Sequence, residues 1–168
     1  MPLSAKLKSI QAQIPKTVRL LAAGKYATPD QLLQLISSGQ KLIGENRAQD
    51  LVRKYAILGN QAEWHFIGHL QRNKVAQVIP IISMLHSLDS IRLADELEKQ
   101  LHKINKVLPV LIEVNLAAEA TKSGISPDTL PDFIDHCRTL PHLKLVGLMT
   151  MNHADYFIAL RRLADKYN

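Results

Sequence analysis

Short apolar runs alternate with helix-start signals along almost the whole chain, and this alternation narrows the fold more than any other feature. Strand-like runs are read at Val18–Ala23, Lys41–Gly44, Glu63–Ile67, Met84–Ser87, Pro109–Asn115 and Lys144–Met149. Thr28 can cap a helix, with Pro29 at its first position, Gln31 completing a capping box and Gly39 placed as a C-terminal glycine. Ser126-Pro127 repeats that start ahead of an apolar stripe of Leu130, Phe133, Ile134 and Cys137. Ala94, Leu97, Leu101 and Ile104 form another stripe, and Tyr156 to Tyr167 reads as a helix with Phe157, Leu160 and Leu163 on one face. An N-terminal helix followed by six strand–helix units requires a mainly parallel α/β sheet with helices outside it. Two architectures satisfy that order, an open doubly wound sheet or part of an eight-stranded TIM-like barrel, and 168 residues is short for a whole barrel of about 250. Linkers are short and no low-complexity stretch or repeat divides the chain, so residues 1–168 read as one domain.

Composition restricts the partners. The net charge is +6 and apolar residues make up 46%, which suits a globular protein with a weak affinity for anions. The basic residues are scattered with no run of five, which argues against dedicated nucleic-acid binding. Cys137 is the one cysteine, so no internal disulfide forms, and its place on an apolar stripe makes it a core residue rather than a nucleophile. No apolar run approaches the roughly 20 residues of a membrane helix, and the amphipathic stretch Met1–Lys16 does not resemble a signal peptide. The expected location is the cytoplasm.

Parallel α/β folds bind ligands outside the carboxyl ends of their strands. Those ends carry Lys25, then Glu45 and Asn46, Gly68 and His69, His86 and Ser87, Asn115, and Met149-Thr150. Lys25 has two readings. It is a surface lysine just past a strand, or a desolvated amine able to attack a carbonyl, with Gly24 admitting close approach of a ligand. In Trp64–Lys74, His65 reads either as interior or as a satisfied core histidine, while His69 begins the loop. Lys122-Ser123-Gly124 is a plain turn or a flap over the strand ends. The histidines lack metal-ligand spacing, and neither a serine–histidine–acid pattern nor a glycine-rich phosphate loop is present.

Taken together, Lys25, Gly44-Glu45-Asn46, Trp64-His65-Phe66-Ile67-Gly68 with Leu70-Gln71 and Asn73-Lys74, Asn115, Lys122-Ser123-Gly124 and Gly147-Leu148-Met149 occur in a telling order and spacing. The chain resembles the pyridoxal phosphate homeostasis proteins (the YggS/PROSC proteins), and its Glu45-Asn46-Arg47 and Gly68-His69-Leu70-Gln71 wording is most similar to cyanobacterial members. The resemblance implies a barrel like the alanine racemase N-terminal domain, with six of its eight βα units in this chain after an N-terminal helix. It implies pyridoxal 5'-phosphate as cofactor, held by Lys25 as an internal aldimine, with Asn46, His65, Asn115 and Met149 lining the pocket. It implies a role in intracellular cofactor homeostasis with no firm catalytic reaction and no metal. The alternatives are a racemase-like enzyme and a non-binding interaction protein. The family's final segments, two strands with most of the phosphate grip, have no counterpart up to Asn168. The expectation is a C-terminally truncated member that holds the cofactor weakly and self-associates, where the intact family is monomeric.

Overall fold

In the computed structural model, which describes residues 3–117, 123–151 and 154–167, helix and strand alternate from end to end. Helix α1 (Leu3–Gln13) leads into β1 (Ala22–Ala23), α2 (Pro29–Ser37), β2 (Leu42–Glu45), α3 (Ala48–Leu58) and β3 (Glu63–Phe66). A short α4 (Val75–Val78), β4 (Met84–Leu88), α5 (Ile91–Lys103), β5 (Leu108–Glu113), α6 (Leu130–Arg138), β6 (Leu143–Met149) and α7 (Ala154–Tyr167) follow. The six strands form one sheet in the order β1-β2-β3-β4-β5-β6, every pair parallel. Each strand lies beside the next in sequence, with no reversal of order. A doubly wound sheet has such a reversal at its switch point, and a βα barrel does not. The barrel reading of the sequence therefore stands and the doubly wound one falls.

The outer face of the sheet carries the core. Ile43, Trp64, Phe66, Leu85, Val110 and Ile112 are buried under helices that contribute Leu32, Leu51, Val75, Leu97 and Ile134. The capping box at α2 forms as read: the Gln31 backbone N–H donates to Thr28 Oγ1, and the Thr28 N–H donates to Gln31 Oε1. Gly39 closes α2 at φ +98°, a conformation natural to glycine. Cys137 is buried in the core, and burial pushes its thiol up to about 11.

Three expectations need correction. The strand at Val18–Ala23 shortens to Ala22–Ala23, because Val18 is 51% exposed and Arg19 turns its side chain to Glu63 instead. Ser126-Pro127 does not open α6, which begins at Leu130 after Thr129. Ile125 is held to Glu113 and Asn115 by backbone hydrogen bonds, and the Thr129 N–H closes a turn on Ser126 O, so the chain cannot enter a helix there. Ile104 leaves the α5 stripe, sitting half-exposed as the C-cap. Among the described residues, no helix is long and apolar enough to cross a membrane.

Candidate functional site

A cavity of about 380 Å³ opens at the carboxyl ends of the strands. Lys25 follows β1, Asn46 follows β2, Ile67, Gly68 and His69 follow β3, Glu113 ends β5 with Val114 to Ala117 after it, and Thr150 and Met151 follow β6. Sequentially distant residues meet because parallel strands put all their carboxyl ends on one rim. Ser123 reaches the same cavity, whereas Lys122 lies outside the described residues.

Of the five residues expected at the pocket, Lys25, Asn46 and Asn115 line the cavity. Lys25 is exposed rather than desolvated, with Nζ 4.8 Å from the Tyr26 ring centroid, in range of a cation–π contact. Asn46 Oδ1 is buried and, among the described residues, has no hydrogen-bond partner. A buried acceptor left unpaired costs about 1–3 kcal/mol, so it marks a place where a donor belongs. His65 and Met149 do not line the cavity. Met149 pairs with Glu113 in the β5–β6 ladder, immediately before the lining residues Thr150 and Met151. His65 is buried deeper, inside the sheet's concave face, between His86 and Glu63.

The chemistry of that interior is fixed by its hydrogen bonds. Glu63 accepts from Arg19 at 2.6 Å, and this contact chiefly holds its carboxyl below the usual range. A carboxylate can only accept, so His65 Nε2–H donates to Glu63 Oε1 at 3.2 Å. His65 Nδ1 is then an acceptor and receives the His86 Nε2–H at 2.8 Å. Burial lowers the His65 imidazole and carries His86 down to about 4, with the neighbouring His65 adding to the second shift. Both rings are therefore neutral at pH 7.

Two acidic features of the rim had no separate place among the expected pocket residues. Glu113 is buried at the cavity, and burial first, then the Asp89 charge, raises its carboxyl. It lies within the strand read at Pro109–Asn115, where nothing in its sequence position signals an inward carboxyl. His69 Nδ1–H donates to Asp89 Oδ2 at 2.8 Å, which turns Nε2 free of that bond. A second cavity of about 210 Å³, lined by Arg47, Gln49, Gln71 and Lys74, shares Asn46 and His69 with the first.

Comparison with known proteins gives a consistent picture. Residues 3–156 match the family described as alanine racemase, N-terminal domain. A pyridoxal phosphate homeostasis protein of Aquifex aeolicus is 41% identical over 157 residues, covering 88% of this chain and 69% of that protein. Its counterpart in Pasteurella multocida is 38% identical, covering 84% of this chain and 62% of that protein. The chain thus spans between 62% and 69% of the length of these two relatives. The structure of PipY from Synechococcus elongatus with pyridoxal phosphate bound superposes with a TM-score of 0.90 at 25% identity, covering 98% of this chain and 81% of that one. An alanine racemase of Clostridium difficile shares the fold at a TM-score of 0.79 and 11% identity.

Proposed function

Because this chain belongs to the alanine racemase N-terminal domain family, and within it to the pyridoxal phosphate homeostasis proteins, we propose that it binds pyridoxal 5'-phosphate in the strand-end cavity and serves intracellular cofactor homeostasis rather than turnover. The observation that carries the reading is the convergence of an amine, Lys25, and an unpaired buried carboxamide oxygen, Asn46 Oδ1, on one cavity.

The residues present fit the group. A volume of about 380 Å³ falls within the range of small-molecule sites, roughly 300–1,000 Å³. When bound, pyridoxal phosphate supplies an aldehyde that condenses with a primary amine. Lys25 presents that amine at the open side of the rim, where a ligand arrives without unfolding anything. Asn46 offers its unpaired oxygen to a polar edge of the ligand, and Asn115 faces the same space from β5's end. Ile67 and Leu116 give apolar walls suited to a ring. His65 and Met149 act from behind: the neutral His65 braces β3 against β4, and Met149 backs Thr150, whose hydroxyl donates to Val114 O at 3.0 Å.

The test is reduction with borohydride after incubation with pyridoxal phosphate, followed by peptide mapping. The expected adduct is on Lys25, and Lys25→Ala should lose the long-wavelength absorbance while keeping its melting temperature. An adduct confined to Lys74 or Lys122 would overturn the assignment.

A further inference from the structure

Lys54 is the least expected cation of the chain. It lies on α3 with its side chain 1% exposed, and it lines neither cavity at the rim. A lysine there needs a reason, since burying an ammonium costs several kcal/mol unless its partners are well placed. Its Nζ donates to the backbone oxygen of Gly24 at 2.7 Å and to Glu45 Oε1. Glu45 is fully buried, and its second carboxylate oxygen accepts the Asn46 backbone N–H at 3.3 Å. Gly24 precedes Lys25 and Glu45 precedes Asn46. One buried ammonium therefore ties together the backbones just before the two residues that converge on the cavity.

The contact is close enough to dictate sequence. A Cβ on Gly24 would lie 2.9 Å from Glu45 Oε1 and 3.1 Å from Ile43 Cγ2, so only glycine leaves room for the carboxylate. The Gly24 N–H donates to Gly44 O at 2.8 Å, and the Ile67 N–H to Glu45 O at 2.8 Å. These backbone bonds set the level of the β1 and β2 ends. The Lys54–Glu45 pair sets their separation beyond the last ladder bond, where β1 has only two residues of pairing to hold it.

We infer that Lys54, through Glu45 and the Gly24 carbonyl, is a positioning residue that holds Lys25 and Asn46 at the spacing a ligand of this cavity requires. The inference rests on the cofactor reading above for its ligand, and on geometry alone for its clamp. Lys54→Met by itself strands the Glu45 carboxylate in the core and is apt to unfold the chain. The informative variant is Glu45→Gln with Lys54→Met, which removes both charges and keeps the volumes.

Two readouts are taken. Amide hydrogen exchange on the ligand-free chain should rise at least tenfold at Gly24 and Asn46 in the double variant, with the α5 and β5 amides unchanged. Titration with pyridoxal phosphate should show a dissociation constant weakened at least tenfold while the melting temperature falls by only a few degrees. A folded double variant with unchanged exchange at those amides would overturn the clamp. So would faster exchange with unchanged affinity, because the pair would then serve stability only. Wild-type protein that fails to bind pyridoxal phosphate would sink the cofactor reading, and the exchange experiment would still decide whether the clamp exists.

Discussion

Gly68 and Asn46 meet backbone to backbone at the cavity rim. A Cβ built on Gly68 would lie 2.6 Å from both Cα and Cβ of Asn46, and neither atom can swing aside. Gly68→Ala must push the β2 end away from β3, and overpacking of this kind costs about 1–3 kcal/mol. Urea unfolding should register that loss, and pyridoxal phosphate should bind more weakly than to wild type. A variant with wild-type affinity would mean that Asn46 is not held where the ligand needs it. The same scale shows what a sequence discloses. Lys25, Asn46 and Asn115 were legible because each ends an apolar run, and strand ends share a rim. Lys54 was not, because Val52-Arg53-Lys54-Tyr55 reads as an ordinary helical surface stretch. Its burial arises from where α3 docks on β1 and β2, which no local pattern encodes. For Lys25 the sequence leaves desolvated and exposed open, and the structure places it exposed, beside an exposed Tyr26.

Helix α5 illustrates how an element earns its place. Ser90 caps it, its hydroxyl accepting the Leu93 N–H at 3.3 Å. Leu93, Ala94, Leu97 and Leu101 recur at helical spacing and are all buried against the sheet. Leu97→Ala removes a fully buried side chain from the middle of that face, so the expected cost is about 2–5 kcal/mol, measured by denaturant unfolding. A loss below about 1 kcal/mol would show that α5 collapses onto the vacancy. Elements of this kind were legible because one period, 3.6 or an apolar run, dominates their residues. Strands β2 to β6 came within two residues of their observed ends for that reason. The misread elements are those where a tertiary bond competes with a local rule. Arg19 leaves the β1 run to reach Glu63, and Ile125 is captured by the backbone of β5's end before Ser126-Pro127 can start a helix.

Across the whole molecule, the concave face of the sheet carries a polar line from Arg19 through Glu63 and His65 to His86, linking the chain before β1 to β3 and β4. This line ties stability to pH. His86 is lowered from 6.5 to about 4 in the folded chain, so between those values the unfolded chain binds more protons. Stability then rises with pH through that window, and acidification from 6.5 towards 4 removes it. His65 is lowered as well and acts in the same direction, and Glu63, held low by Arg19, extends the loss below 4.5. Glu113 is raised by burial and opposes them, since it prefers its proton in the folded state. Above 4.5 the two histidines oppose the one raised glutamate and outweigh it, so the melting temperature should fall as pH drops from 7 to 4.5. His86→Gln separates the contribution of His86 from the rest. Its side-chain amide still donates to His65 Nδ1 but does not titrate in this range, so the slope between pH 6.5 and 4.5 should flatten while the melting temperature at pH 7 changes little. Thermal melts of both proteins across that range decide the matter: parallel curves would mean that the acid limb comes from His65 and the carboxylates, and that His86 is bonded to its neighbour without governing the protonation of the fold.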